Sequence, residues 1–284
     1  EFNPGLNSPE TCTDKEKCLC KQVCPQGKFQ FNEEQSSCSS CPRGFYQSST
    51  RKAGCLICGR GTYQDQIQQT VCKTCPHGKY QADVGLTFCI FCPFGQFQNQ
   101  VAQKSCTVCG TGTYMEEVGS YETSCKGCER GLYQDTESMP LCKLCGKGKY
   151  GNERSRTAES WCKSCTTGKY SSAKGVASSD ECNDCSPGKY SREEGNINEG
   201  KCKDCVADTY SSQQARNEPC YMCEEGTTSA KGSTVCTACD AGQYLHTSAS
   251  TKECKDCDAG EASIYGQSEC TVCTTGKYAN AATK

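Results

Sequence analysis

Cysteine is the residue type in this chain with chemistry to offer. There are 32 among 284 residues, and fourteen C-x2-C pairs run from Cys38/Cys41 to Cys270/Cys273. A pair at that spacing can ligate zinc, cycle as a redox centre, or anchor two disulfides. Structural zinc needs two such pairs brought together, usually in a reducing compartment. Here the pairs follow a linear repeat, only His77 and His246 could supply imidazole, and cysteine makes up about 11% of the chain. A cytosolic protein rarely carries that much. A thioredoxin-type centre needs a helix N-terminus in a βαβ context, and neither is readable. Disulfides in an oxidising compartment are the expected chemistry. His77 and His246 share no nucleophile or carboxylate constellation, and no D-x-D-x-D-G calcium loop exists. No catalytic residue, metal or cofactor is assigned.

The element that positions these cysteines is one short repeat. Taking the second cysteine of each pair as origin, and counting an irregular first copy at Cys20/Cys24, there are fifteen copies. Glycine stands three residues later in fourteen, with Asp208 the exception; an aromatic stands five residues later in thirteen, with Thr228 and Ala262 the exceptions. Good copies read CPQGKF from Cys24, CPRGFY from Cys41 and CSPGKY from Cys185. The period is 17 residues from Cys24 to Cys109, 20 for three copies to Cys205, and 16 to 18 thereafter. Insertions always fall between the aromatic and the next pair, which marks that segment as the surface loop. The glycine predicts a turn with positive φ or close backbone approach. The aromatic opens a short strand and is expected to pack on the disulfide below it, forming most of each module's core. No 3.6-residue periodicity is present.

Composition excludes a conventional core. Leu, Ile, Val and Phe number 31, about 11% of the chain, against the ~20% below which apolar burial alone usually cannot fold a chain. The net charge is only -2, so cross-links rather than disorder account for the deficit. Charges are interspersed and the pI is near 5.9, with no Lys/Arg stripe for nucleic acid. No stretch approaches the ~18 apolar residues of a membrane span.

The motif C-x2-G-x-aromatic followed by C-x2-C resembles the A1 element of tumour-necrosis-factor-receptor modules. It is closer to the ephrin-receptor-type cysteine-rich repeats of eukaryotic surface proteins, and the resemblance covers Cys24 to Tyr278. It implies that the cysteine before the glycine pairs with the first cysteine of the next pair. That gives Cys24–Cys38, Cys41–Cys55, Cys58–Cys72, Cys75–Cys89, Cys92–Cys106, Cys109–Cys125 and Cys128–Cys142. It continues with Cys145–Cys162, Cys165–Cys182, Cys185–Cys202, Cys205–Cys220, Cys223–Cys236, Cys239–Cys254 and Cys257–Cys270. Each closed loop contributes roughly 3 kcal/mol in the chain-entropy account.

Four cysteines are left over: Cys12, Cys18 and Cys20 at one end, Cys273 at the other. Either the chain is a fragment whose partner lies beyond Lys284, or Cys273 bonds Cys12, Cys18 or Cys20 of the next molecule. The second arrangement is heterologous and builds filaments. The most apolar stretch holds Leu86, Phe88, Ile90, Phe91, Phe94 and Phe97, with Leu56 and Ile57 two modules earlier. A 17-residue module cannot hide four phenylalanines, so some face a neighbouring module or another molecule.

Smaller features are readable too. The residue after the aromatic is usually glutamine in the first half, Gln30, Gln47, Gln64, Gln81, Gln98 and Gln134, and serine in the second, Ser171, Ser191 and Ser211. The glutamines either line a hydrogen-bonded stripe or face solvent. The Lys before the aromatic at Lys28, Lys79, Lys149, Lys169, Lys189 and Lys277 reads as a solvated strand position or a ligand-steering stripe. No N-x-S/T sequon exists, because Pro9 blocks Asn7-Ser8. O-linked sugar is conceivable at Ser48-Ser49-Thr50, Ser171-Ser172, Ser178-Ser179 or Thr247-Ser248, which otherwise are ordinary loop hydroxyls.

The expected fold is small and disulfide-rich: an elongated, solenoid-like rod of short β-hairpin modules with little or no helix. It comprises a cysteine-containing segment at 1–23, regular repeats at 24–144, expanded repeats at 145–272 and an incomplete repeat at 273–284. The expected function is structural and non-enzymatic: an extracellular fibril or surface-filament subunit that partners itself head to tail, in a helical assembly and as a glycoprotein. The alternative is a stalk or protein-ligand-binding region of a receptor or adhesion ectodomain.

Overall fold

A computed structural model describes residues 23–32, 36–248 and 252–279. The C-P-x-G segments force the first turn of each module. Phe45 N–H donates to the Pro42 carbonyl at 3.1 Å, and between them Gly44 has φ 82°, the place glycine takes in a type II turn. The chain then runs extended for two residues, crosses the loop, and returns as a second two-residue strand inside the C-x2-C pair. Phe45–Tyr46 pairs antiparallel with Leu56–Ile57, and Lys169–Tyr170 with Asn183–Asp184. Fourteen such two-stranded sheets are formed among the described residues. Thirteen use two-residue strands; one joins Gln243–Thr247 to Lys252–Asp256. Among the described residues, helix is confined to the 3-10 turns Glu159–Trp161, Ser179–Glu181 and Glu199–Lys201.

Fourteen disulfides hold these hairpins, from Cys24–Cys38 to Cys257–Cys270. Each joins the second cysteine of one pair to the first of the next, over 13 to 17 residues. The chain divides into two compact units. One comprises the chain to Gly110 with Tyr114–Lys126 and Glu137–Pro140; the other comprises Thr111–Thr113, Gly127–Thr136 and the chain from Leu141.

Inside each unit successive modules share one set of backbone bonds. In the first, Gly44 N–H donates to the Gln64 carbonyl at 2.8 Å, Gln47 N–H to the Gln69 carbonyl at 3.0 Å, and Gln68 N–H to the Cys41 carbonyl at 2.8 Å. In the second, Gly148 donates to Ser171 at 2.9 Å, Gly151 to Val176 at 2.9 Å and Gly175 to Cys145 at 2.8 Å. The third donor of each set is a corner ten residues after the origin cysteine. It has positive φ whether or not it is glycine: 58° at Arg51, 61° at Gln68, 59° at Ala102, 74° at Gly175.

The corner explains the invariant glycine. The Ala102 carbonyl lies where a Cβ on Gly61 would be, and the Gly195 carbonyl does the same to Gly148. Each corner thus reaches the turn glycine two modules back. Glycine is required there both for its φ and for the space. Asp208, at φ 62°, is the exception to the glycine; the position ten residues after Cys239, two modules on, lies outside the described residues. The Asp208 carboxylate accepts from Thr228 Oγ1 at 2.6 Å, so two of the three sequence exceptions pair with each other.

Aromatic side chains do not form most of the core, contrary to the sequence expectation. Phe97 and Tyr133 are buried, but Tyr46, Tyr63, Tyr80 and most others are only half-buried. A two-residue strand on a 17-residue module is too short to cover a ring on both sides. Sulfur fills the centre instead: Cys41, Cys58, Cys75, Cys92, Cys109 and Cys128 are fully buried. Beside them lie Gln47, Gln64, Gln81, Gln98 and Gln134, all 6% exposed or less. These glutamines neither form a stripe nor face water. Gln81 Nε2 donates to the Phe88 carbonyl at 2.7 Å, and its Oε1 accepts from Asp83 N–H at 3.0 Å. Gln64 and Gln134 brace their own loops in the same way.

Candidate interaction surface

The candidate sites among the described residues are exposed surfaces. The two residues inside each C-x2-C pair form the return strand and point outward. Leu56, Ile57, Ile90 and Phe91 are exposed there, and Phe88 and Phe94 flank them. Ile57 lies against Gly85 and Phe91 against Gly119, so each of these side chains partly covers a corner in a later module. Phe91 also carries a cation, with Lys79 Nζ 4.0 Å from its ring centre. Leu86 is half-buried. Phe97 does not belong to this surface: it is 9% exposed and packs with Cys109 and Met115. Its position five residues after Cys92 turns it inward, whereas residues of the return strand turn out.

Four of the lysines before the aromatic, Lys79, Lys149, Lys169 and Lys189, are engaged. Lys169 pairs with Asp184 directly across its hairpin at 2.5 Å, and Lys149 reaches Glu159 at 3.1 Å. On the return strands, Lys73 bonds Asp65 at 2.6 Å and Lys143 bonds Asp135 at 2.5 Å. Each hydrogen bond holds its aspartate below the ordinary range and its lysine above it. Arg216 stacks 3.8 Å from the Tyr221 ring and lowers the phenol's pKa, chiefly by hydrogen bonding and then by charge.

Among the hydroxyl candidates, Ser171 is 1% exposed and donates to the Ala173 carbonyl at 3.3 Å. Its burial leaves no room for a sugar. Ser48, Ser49, Thr50 and Ser172 are exposed. Cys273 is the free cysteine among the described residues and is half-buried. Cys12, Cys18 and Cys20 lie outside the described residues.

Charge is unevenly placed. Between Ser36 and Gln64 stand Arg43, Arg51, Lys52 and Arg60 with no carboxylate, and all four are exposed. Near the other end, Asp240, Asp256, Asp258 and Glu261 line a cleft of about 580 Å³. No helix among the described residues is long and apolar enough to cross a membrane.

Residues 44–87 and 78–124 match the family described as tyrosine-protein kinase ephrin type A/B receptor-like. No curated protein matches the chain. The repeats within 44–124 are similar to the ephrin-receptor-like cysteine-rich type, a structural or binding module, and the disulfides favour the extracellular space or the cell surface.

Proposed function

From these ephrin-receptor-like cysteine-rich repeats, we propose that the chain is a non-enzymatic structural subunit of an extracellular fibril or surface filament, joined head to tail to further copies. The observation that carries this reading is the module ladder. The same backbone atoms bind each module to the next and to the one after, so the fold is extended by adding modules rather than by enclosing a site. Disulfide closure of every loop suits endurance against proteases and unfolding. Cys273, the second cysteine of its pair, carries a half-buried free thiol, and Cys20, four residues before Cys24, is the first cysteine of its pair, the position that receives such a bond in the repeat. A Cys273–Cys20 bond between copies continues the pattern.

Electron microscopy of the protein under non-reducing conditions tests this. Filaments are expected, with a Cys273 peptide cross-linked to Cys12, Cys18 or Cys20 of another copy. Isolated single molecules at all concentrations, or Cys273 bonded within one chain, contradict it. The matched family's description names receptors, which favours the second reading: a stalk or ligand-binding region of a surface ectodomain. That reading expects single molecules that bind a protein ligand.

A further inference from the structure

The residue just before the corner, nine places after the origin cysteine, is aliphatic in four consecutive modules: Ile67, Val84, Val101 and Val118. The corners that follow hold all four alike. Gln68, Gly85, Ala102 and Gly119 each donate their N–H to the carbonyl of the origin cysteine one module back, at 2.7 to 2.9 Å. Each has φ between 59° and 73°, and each carbonyl reaches the turn glycine two modules back. The four side chains therefore stand in one row at module spacing, within the first compact unit. They are 58%, 47%, 45% and 50% exposed, so the row leaves about half of its aliphatic surface in water. Val71 and Phe88 belong to the same loops, on carbonyls held by Gln64 and Gln81, and are exposed too.

The row has ends of opposite charge. One module before Ile67 its place is taken by Thr50, followed by Arg51 and Lys52; one module after Val118 it is taken by Glu137. All of these are exposed. Glu137 continues the row, because the Ser138 corner after it donates to the Cys109 carbonyl at 2.9 Å and lies in the same unit.

We infer that this row docks a second copy of the chain laid antiparallel to the first, about a two-fold axis between Val84 and Val101. A partner has to carry apolar side chains at the same module spacing on an equally stapled frame, which a second copy does. In the antiparallel arrangement Val84 meets Val101 of the second copy, and Ile67 meets its Val118. Arg51 and Lys52 then meet its Glu137. In parallel register each charge meets its like, so charge selects the antiparallel one. The contact is isologous and closes as a dimer. It is lateral, separate from the head-to-tail joint, and does not rest on it.

The test is sedimentation velocity on the full chain, with Cys273→Ser in every sample so that a covalent joint cannot mask docking. This parent is expected to dimerise reversibly as its concentration rises. Val84→Asp/Val101→Asp, at two exposed positions, is expected to associate more than about tenfold more weakly, because each new carboxylate meets its like across the axis. Glu137→Lys, and separately Arg51→Glu/Lys52→Glu, should each weaken association about fivefold. Mixed together, those two chains recover the parent's association, because each reversed end then meets its opposite. A dimer indifferent to Val84→Asp/Val101→Asp, or reversed chains that fail to recover on mixing, overturns the antiparallel row. A parent that stays monomeric at every concentration overturns it as well, whether the row is bare or covered by residues 1–22 of its own chain. That result leaves the head-to-tail reading standing, since microscopy of the unmutated protein decides it separately.

Discussion

The 17-residue modules around Gln47 to Gln98 and the 18- to 20-residue modules around Ser171 to Ser211 solve one problem with different residues. In the short modules a single glutamine spans the loop. Its amide donates to the carbonyl just ahead of the next cysteine, and its oxygen accepts from the N–H two residues on. In the long modules serine reaches only the residue two on: Ser191 Oγ accepts from Glu193 N–H at 3.2 Å and donates to the Glu193 carbonyl at 3.3 Å. The rest of the glutamine's volume is supplied from further along the loop. Val176, Asn196 and Arg216 are buried there, and Asn196 Nδ2 donates to Ser191 Oγ at 2.8 Å and to the Glu193 carbonyl at 2.9 Å. Arg216 donates to the Pro219 carbonyl, the same station before the cysteine that glutamine serves elsewhere. A longer loop can therefore brace itself with its own backbone and a 3-10 turn; a shorter one needs a side chain long enough to reach.

The strongest way to break this comparison is at the glycine that both regions share. Gly61→Ala and Gly148→Ala each put a Cβ onto a carbonyl as well as straining φ, and should cost about 4 kcal/mol each. Gly242→Ala meets no atom and should cost only about 1–2 kcal/mol. Hydrogen exchange of the amides flanking each site would measure the difference, and equal losses at all three would remove the corner from the account.

Paired removal of a disulfide should cost about 3 kcal/mol in either region. Closed loops separated by 14 and 17 residues, as at Cys58–Cys72 and Cys165–Cys182, differ by only about 0.2 kcal/mol in chain entropy. Thermal melts of the two double variants should nearly coincide.

The braces themselves should differ. Gln81→Ala strands a buried carbonyl and an N–H together and should cost about 2 kcal/mol. Ser191→Ala should cost about 1 kcal/mol, since Asn196 still holds the Glu193 carbonyl. Ser191→Ala/Asn196→Ala should then approach the loss seen with Gln81→Ala. Proteolytic clipping rates of the affected loops would rank them.

The smallest effect is ionic. Asp65 is depressed by Lys73, so its contribution is whole above the ordinary aspartate pKa and fades as pH falls through the lowered value. Lys73 is raised, so its contribution is whole below the ordinary lysine pKa and fades as pH rises through the raised value. Both groups are exposed, and salt should erase what they add. A melting temperature that moves little from pH 5 to 9, and sags slightly beyond both ends, is expected.

Much of this was legible in the residues. Cysteine spacing located the hairpins, and the glycine's recurrence announced a turn. The corner was not legible as a corner, because its φ is adopted by Arg51, Gln68, Ala102 and Ser138 as well as by glycine. The hint was Gly85, Gly119, Gly175 and Gly195, all ten residues after their cysteines. Nor could sequence place the glutamines inside, since a polar residue enters a core only when both its ends find partners. Those partners are backbone atoms, which no side-chain pattern displays. Phe97 turned inward for the converse reason: hydrophobicity marks it like Phe91, and only the strand it occupies tells them apart.

The pattern of disulfides has a mechanical consequence. A covalent line runs from Cys24 across to Cys38, along two residues to Cys41, across to Cys55, and so on to Cys270. Tension applied along the chain would travel this line and bypass every glycine turn and loop. Per module the line spans three residues and one Cα–Cα gap of 5.7 Å, so it draws taut at about 16 Å, against about 58 Å for seventeen residues pulled straight. Even with every hydrogen bond broken, an intact set of disulfides limits how far the protein can be stretched, and reduction would release that stored slack one loop at a time.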